Sequence, residues 1–228
     1  MKPITLKTKR LLLSPMTDDE LRLLVEKEEE PHLKAAYGEM LAGAIDHSED
    51  RLFYTAWTMA RKEAPDEPIG NFSFKGTPVR GCVEIGYGTD EPYRGNGYMT
   101  EAVKKAVEWA FEQPGVYSVS AECEEDNVAS RRVLEKCGFV PDGMGEEGPR
   151  FLHRKPDPAY LSIYLAIGLC LGSSISILFD NLAIGISIGM GFGVCLGAVM
   201  DAREKKARAA VEHPEEADGE KNGREKKS

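Results

Sequence analysis

A glycine-rich turn between a predicted strand and a predicted helix is the stretch of this sequence best suited to bind a ligand. The turn reads Arg94-Gly95-Asn96-Gly97-Tyr98-Met99, and it follows an alternating β-branched and aromatic run that ends at Gly88. From Thr100 the apolar residues recur with the period of a helix. The first N–H groups of a helix lack intrahelical partners, and glycines allow a ligand to approach them closely. The arrangement predicts a site for an anion, typically a phosphate.

A second motif lies further along the chain and runs from Asn127 through Ser130 and Leu134 to Gly138-Phe139. The order of strand, Arg-x-x-Gly, helix, strand and N-x-x-S-x-x-x-L-x-x-x-G-F resembles the GNAT N-acetyltransferase superfamily, in particular the subgroup that acetylates the N-termini of ribosomal proteins. Members of that subgroup often read E-I-G-Y before the loop and R-G-x-G-Y-A-T-E-A after it. This chain reads R-G-N-G-Y-M-T-E-A, so Met99 replaces a small residue. The resemblance covers roughly residues 4–155.

The resemblance implies that acetyl-CoA is the co-substrate and that its acetyl group passes to a primary amine by direct attack in a ternary complex. Backbone N–H groups of the loop would bind the pyrophosphate. The pantetheine would lie along the end of the preceding strand and against polar residues at the start of the second helix, where a plain helix N-cap is the alternative role for Asn127. The implied cofactor-binding residues are Tyr87, Gly88, Thr89, Arg94, Gly95, Asn96, Gly97, Tyr98, Met99, Thr100, Asn127 and Ser130.

The reaction also needs a base for the amine and an acid for the leaving thiolate. In many relatives the acid is a tyrosine on the second helix; Leu134 occupies the position that looks like it, which leaves Ser130 as the candidate. Glu84 is the first candidate for the base, acting through water, since a carboxylate flanked by Val83 and Ile85 is expected to be desolvated, with a raised pKa. The alternative is that Glu84 is ion-paired or faces solvent. The rival bases are Glu146, Glu147 and His153.

The elements around these motifs predict an α+β fold, with a mostly antiparallel, twisted central sheet flanked by helices. A first strand is predicted over residues 4–14, and the capping box Thr17–Glu20 opens a short helix. A second helix is predicted over 31–44; by the resemblance this helix pair forms part of the acceptor wall. The acidic run 28–30 could attract an amine, or it is a solvated helix end. The remaining predicted strands are 52–61, 69–74, 81–88, 116–123, one from 139 and 149–154, with a turn over 65–68 and helices from 100 and 128.

The composition narrows the classes of partner. The formal net charge is −9. An acidic domain without a basic face argues against nucleic acid as a partner and fits a cationic amine as the substrate. The five cysteines include no C-x-x-C pair, which predicts reduced, buried thiols in a cytoplasmic setting. The four histidines lack ligand spacing, so no metal site is predicted. The first ten residues lack the apolar core of a signal peptide.

The composition changes abruptly after Lys155. Residues 159–179 and 182–200 carry no charge, and each run is long enough to cross a bilayer as a helix. Asp180-Asn181 between them predicts a tight antiparallel hairpin. Glycines at four-residue steps resemble those of glycine-zipper membrane hairpins, since in lipid they allow helices to approach closely. These small residues are Gly168, Gly172, Ser176, Gly185, Gly189, Gly193 and Gly197.

Basic residues flank the hairpin on both sides, which places both flanks and the enzyme domain in the cytoplasm by the positive-inside rule. They are Arg150, Arg154, Lys155, Arg203, Lys205, Lys206 and Arg208. The predicted organisation is a GNAT domain over 1–155, a linker over 156–158, the hairpin over 159–200 and a charged, partly disordered tail over 201–228.

The sequence thus predicts an N-acetyltransferase at the cytoplasmic face of the cell membrane, acting on a small amine or a protein N-terminus. A homo-oligomer formed through the glycine zipper is a further prediction. One alternative is a non-catalytic GNAT-like module whose hairpin acts as a membrane scaffold, oligomeriser or pore. Another is that the hairpin is buried inside a soluble oligomer.

Overall fold

The chain separates into two units, with the boundary between Lys155 and Pro156. This computed structural model describes residues 4–179 and 181–212. Asp180 of the predicted hairpin turn and the part of the predicted tail beyond residue 212 lie outside the described residues.

A sheet of eight strands forms the centre of the first unit within the described residues. The strands are β1 (Leu6–Lys7), β2 (Leu11–Pro15), β3 (Ala56–Arg61), β4 (Ala64–Phe74), β5 (Cys82–Thr89), β6 (Ser118–Glu122), β7 (Val140–Met144) and β8 (Pro149–Arg154). Their spatial order is β1-β2-β3-β4-β5-β6-β8-β7. Among these strands β5 and β6 pair in parallel, and the other neighbours are antiparallel. The predicted α+β fold with a mostly antiparallel sheet is therefore confirmed.

Four helices accompany the sheet in the described part of this unit: α1 (Asp18–Lys27), α2 (Pro31–Asp46), α3 (Tyr98–Glu112) and α4 (Val128–Lys136). The predicted capping box starts α1, since the Thr17 side chain accepts from the Glu20 N–H and the Glu20 carboxylate accepts from the Thr17 N–H. The long helix α3 connects β5 to β6, and its apolar face is buried in the core. That connection places the start of α3 beside the end of β5.

Three sequence predictions of strands and turns need correction. The first strand is interrupted at 8–10, where the Leu11 N–H donates to the Thr8 hydroxyl (2.8 Å) and reverses the chain between β1 and β2. Residues Arg51–Phe53 form a 3₁₀ turn, so β3 begins only at Ala56. The predicted turn over 65–68 lies inside β4, because shifts of register against β3 accommodate it within the ladder. The first two errors arise at local hydrogen-bonded turns, and the third arises where pairing with β3 decides the conformation.

The second unit is a pair of long helices, α5 (Tyr160–Phe179) and α6 (Leu182–Glu212). By length and composition, both are long and apolar enough to cross a membrane. Glycines of α5 contact glycines of α6: a Cβ added at Gly189 would overlap the Gly168 carbonyl oxygen, and one at Gly172 would lie 2.5 Å from the Gly185 carbonyl oxygen. The four-residue glycine spacing is thus used for contact between the two helices of one chain.

The ends of this helix pair are fixed by polar contacts. The Asn181 side chain caps α6 by accepting from the Ala183 and Ile184 N–H groups at 3.1 and 3.2 Å. Arg208, beyond the apolar part of α6, donates to the Asp157 carboxylate at 2.8 Å. The outer surface is apolar, and it exposes large side chains such as Ile177 and Phe192. This surface is suited to lipid and not to water.

The prediction that all the cysteine thiols are buried is wrong for part of the set. Cys123 and Cys137 are buried in the first unit and Cys82 is half-buried, but Cys170 and Cys195 are exposed on α5 and α6. The reason is that an apolar sequence around a cysteine does not imply burial in protein when the surface of the helix is itself apolar.

Candidate active site

A cleft of about 580 Å³ opens where the end of β5, the start of α3 and one face of α4 come together. Its walls are formed by Tyr87, Gly88, Thr89, Tyr93, Arg94, Gly95, Gly97, Tyr98, Met99, Thr100, Asn127, Ala129, Ser130, Arg132, Val133 and Lys136. The cleft therefore brings together both sequence motifs, which lie on different helices. All the predicted cofactor-binding residues border it except Asn96.

The cleft lies beside a gap in the sheet. The β5–β6 ladder runs from Cys82–Ser118 to Glu84–Ser120, whereas β5 stays paired with β4 as far as Thr89. On the β6 side, the last residues of β5 therefore have no ladder partner among the described strands. An extended ligand can pair with a strand edge of this kind.

The glycine loop leads directly into the first turn of α3. Gly95 and Gly97 have φ of 79° and 75°, a left-handed conformation that glycine adopts without steric cost. Gly97 is the N-cap of α3, and the first intrahelical bond runs from the Glu101 N–H to the Gly97 carbonyl. The N–H groups of residues 98–100 consequently have no intrahelical acceptor and can bind an anion.

Side chains of the loop act in two different ways. The Asn96 amide donates to the Tyr93 and Arg94 carbonyls at 3.2 and 3.1 Å, so this residue shapes the loop without bordering the cleft. The Met99 side chain is 7% exposed and packs into the hydrophobic core while also bordering the cleft. The large residue at this position is therefore accommodated largely by the core.

Two hydroxyl groups, one from β5 and one from α4, lie close together at the start of α4. Asn127 caps the helix by accepting from the Ser130 N–H at 2.9 Å, as the sequence predicted, and it also borders the cleft. The Ser130 Oγ lies 2.9 Å from the Tyr87 hydroxyl of β5. Burial raises the pKa of Tyr87 to about 12, so this phenol is protonated at neutral pH. Leu134 is fully buried in the core.

Sequence reasoning missed the second basic wall of the cleft. Arg132 and Lys136 are exposed on α4 and border the cleft opposite the loop that carries Arg94. Together these three side chains supply positive charge for an anionic ligand. The signal was present in the sequence, because Ala129, Arg132, Val133 and Lys136 are spaced three and four apart and share one helix face. Tyr93, in the turn after β5, was missed as well.

The predicted apolar surroundings of Glu84 are wrong. Val83 and Ile85 are buried in the core, but alternation along β5 turns Glu84 to the other side of the strand. There its carboxylate lies 2.5 Å from the Lys75 Nζ, which also lies 2.8 Å from the Glu147 carboxylate. Glu84 does not border the cleft. The structure thus places two of the candidate bases around one lysine.

The other two candidate bases lie elsewhere. Glu146 is exposed in the turn between β7 and β8. His153 packs between the rings of Phe111 and Phe139, with centroid distances of 5.5 and 5.4 Å, and burial lowers its pKa. It does not border the cleft, and its contacts are those of a packing residue.

Comparison with known proteins identifies the family. Residues 10–140, more than half of the chain, match the family described as an acetyltransferase (GNAT) domain. The chain therefore belongs to the GNAT acetyltransferase family. Residues 156–203 match a second family, described as a glycine zipper membrane protein. Both resemblances stated from the sequence are confirmed.

Individual relatives agree with this assignment. The uncharacterized N-acetyltransferase YjdG of Bacillus subtilis is 36% identical over 101 residues, which are 44% of this chain and 60% of that protein. The ribosomal-protein-serine acetyltransferase of Escherichia coli is 31% identical over 91 residues, 40% of this chain and 50% of that protein. The matched segments thus span between half and three fifths of these two relatives.

Among solved structures, the RimL ribosomal L7/L12 alpha-N-protein acetyltransferase in complex with coenzyme A superimposes with a TM-score of 0.53 at 17% identity. The match covers 66% of this chain and 98% of that chain. It establishes the GNAT fold for the first unit. Coenzyme A is bound in that homologous structure, as its description states.

Proposed function

We propose that this protein is an acetyl-CoA-dependent N-acetyltransferase held at the membrane by its helical hairpin. The observation that carries the proposal is the cleft at the end of β5, where unpaired N–H groups of α3, three basic side chains and a hydroxyl pair face one space. In this proposal residues 1–155 are the catalytic domain, 156–158 the linker and 159–200 the membrane hairpin.

The chemistry of the cleft fits acetyl-CoA as co-substrate. The N–H groups at residues 98–100 and the side chains of Arg94, Arg132 and Lys136 suit phosphate groups. The unpaired edge of β5 at Tyr87–Thr89 suits the amides of pantetheine, and Asn127 and Ser130 lie where that arm would end. The phosphate groups and the pantetheine arm thus each find a matching surface.

The proposed reaction is a direct transfer. The neutral amine nitrogen attacks the thioester carbonyl carbon, a C–N bond forms, and the C–S bond breaks to release the CoA thiolate. Ser130, hydrogen-bonded to Tyr87, is the proposed proton donor to that thiolate. The phenol is suited to resupply the serine because its pKa of about 12 keeps it protonated.

Glu84 is the proposed base and would take the proton of the amine through water. Its carboxylate is 28% exposed, so water reaches it, and Lys75 holds it in position. The same Lys75 Nζ contacts Glu147 at 2.8 Å, which makes Glu147 the rival candidate. A cationic acceptor suits an acidic protein of formal net charge −9, and the name of one relative, a ribosomal-protein-serine acetyltransferase, extends this to protein acceptors.

The test uses the full-length protein in detergent. Calorimetric titration with acetyl-CoA is expected to show binding, and free CoA thiol should then be released with at least one amine from a panel of peptides, amino sugars and polyamines. Binding without release for any amine would favour the non-catalytic membrane scaffold. Absence of binding would contradict both the enzyme and the assignment of the cleft.

A further inference from the structure

An arginine from the first hairpin contacts the glycine loop from outside the cleft. The Arg10 Nη1 donates to the Asn96 carbonyl at 3.1 Å, and its guanidinium lies 4.5 Å from the centroid of the Tyr98 ring. Its Nε donates to the Glu101 carboxylate at 2.7 Å. A single side chain therefore contacts the loop, the first residue of α3 and the first turn of that helix.

The carboxylate of Glu101 is held by other groups of the same hairpin. The Arg10 backbone N–H donates to it at 2.7 Å and the Thr8 hydroxyl at 2.6 Å. Burial alone would raise the pKa of Glu101, but these hydrogen bonds and the Arg10 charge outweigh it and lower the pKa below 4.5. Glu101 is consequently ionised at neutral pH and binds Arg10 as a charged partner.

The loop needs such a contact because its own sequence does not fix it. Gly95 and Gly97 are the two residues of the loop with positive φ, and glycine has the largest conformational freedom to lose. The Asn96 side chain bonds only within the loop and its approach. A negative charge at Glu101 near a phosphate site is also unfavourable unless a cation balances it, and Arg10 supplies that cation.

We infer that Arg10 is a positioning residue for the pyrophosphate of acetyl-CoA. It acts through the Asn96 carbonyl, the Tyr98 ring and Glu101, and it does not itself border the cleft. By holding the loop in its binding conformation before the ligand arrives, it reduces the ordering cost of binding. The inference rests on the proposed function, since it takes acetyl-CoA as the ligand.

The experiment compares two donors in the full-length protein. Arg10→Ala is expected to raise the dissociation constant of CoA and the KM for acetyl-CoA by about tenfold, with kcat at saturation changed by less than about threefold. With S-acetylpantetheine, which lacks the pyrophosphate, kcat/KM should be the same for Arg10→Ala and wild type. Arg10→Lys keeps the charge but not the fork of N–H donors. Its KM for acetyl-CoA should lie between those of wild type and Arg10→Ala.

Lys105→Ala is the matched control, because Lys105 is a cation of α3 that does not border the cleft and pairs with Glu108 at 2.9 Å. This variant should have the same kcat/KM as wild type with both acetyl donors. Since the Arg10 side chain is 43% exposed, its removal leaves no cavity in the core, and thermal unfolding checks that each variant is folded. If Arg10→Ala fails to fold, Arg10→Lys and Glu101→Gln carry the same comparison of donors.

Two results would overturn the inference while leaving the proposed function intact. One is unchanged CoA affinity in folded Arg10→Ala; the other is an equal loss with acetyl-CoA and S-acetylpantetheine, which would indicate a general structural role. If wild type itself does not bind CoA, the proposed function fails and the inference falls with it.

Discussion

At the scale of single residues, the hydroxyl pair of Tyr87 and Ser130 is the feature on which the proposed proton transfer depends. We predict that Ser130→Ala lowers kcat by about 10²-fold or more, the usual range for an acid–base group. Tyr87→Phe should lower it as well, and the double variant should lose less than the product of the two, because the hydroxyls lie 2.9 Å apart and act as a unit. Steady-state kinetics at saturating acetyl-CoA measures this.

A comparable hydroxyl pair offers a control. Thr5 Oγ1 and Ser14 Oγ lie 3.2 Å apart on the first hairpin, away from the residues that border the cleft, so Ser14→Ala should retain wild-type kcat. The pKa of Tyr87, raised from 10.0 to about 12, keeps the phenol protonated as the pH rises through 10. Loss of rate through ionisation of Tyr87 is therefore not expected below that pH. If both single variants keep kcat within about threefold of wild type, the pair has no catalytic role.

The identity of the general base is the second question at the scale of single residues. We predict that Glu84→Gln lowers kcat by about 10²-fold or more with unchanged affinity for acetyl-CoA. Glu147→Gln is the comparison, since it shares the Lys75 contact but is 62% exposed. A loss below about tenfold in Glu84→Gln would remove Glu84 from this role. A large loss in Glu147→Gln alone would transfer the role to Glu147.

At the scale of elements, the strand–loop–helix unit of β5 and α3 forms most of the candidate site, and α4 completes it. The parallel pair β5–β6 ends at Glu84–Ser120, so the strands are no longer joined where the glycine loop begins. The gap and the helix N-terminus both result from this one crossover, and α4, which follows β6, adds the basic face. The site is thus a property of how these elements are connected more than of any single residue.

The glycine zipper is the other element whose geometry can be tested. We predict that Gly189→Ala separates α5 from α6, because its Cβ would overlap the Gly168 carbonyl oxygen. Gly191→Ala is the matched control on the same helix, since nothing lies within 4 Å of a Cβ added there. Hydrogen exchange in detergent, followed by mass spectrometry, should show faster exchange across α5 and α6 for Gly189→Ala only.

Equal exchange in the two variants would show that the association of α5 with α6 does not depend on the close glycine contact.

The packing of the hairpin also bears on self-association of the protein. Because Gly185, Gly189, Gly193 and Gly197 are buried within the hairpin, an oligomer built on this stripe would compete with the contact inside the chain. The predicted oligomer thus requires the hairpin to open or to use another face.

At the scale of the whole molecule, the chain joins a soluble type of fold to an apolar helical hairpin. We predict that the full-length protein fractionates with membranes and resists extraction by alkaline carbonate, because the hairpin exposes large apolar side chains along both helices. Tags placed before residue 4 and after residue 212 should both be protected from protease in intact cells and cleaved after lysis.

A protein that stays soluble without detergent would contradict the membrane assignment. Protease access to either tag in intact cells would contradict the proposed cytoplasmic orientation while leaving the anchor itself in place. A variant in which Lys205 and Lys206 are replaced by glutamine tests whether the flanking positive charge sets the orientation, since losing this charge weakens the orientation signal.

Local rules explain what could be predicted without a structure. The capping box at Thr17, the cap at Asn127 and the loop from Arg94 to Met99 each depend on residues a few positions apart. The hairpin was predictable for the same reason, because its length and glycine spacing are properties of a continuous segment. The strand conformation of residues 65–68 was not, since it depends on pairing of β4 with β3.

The sequence by itself determined the family, the order of the elements and the residues of the glycine loop, since those are encoded by short-range pattern. Only the tertiary structure decided which side chains meet across the chain. Arg10 reaches Glu101 over 91 positions, Tyr87 reaches Ser130 over 43, and Lys75 reaches Glu147 over 72. Such pairs depend on strand order and register, which arise from burial of the whole core, so no local pattern records them.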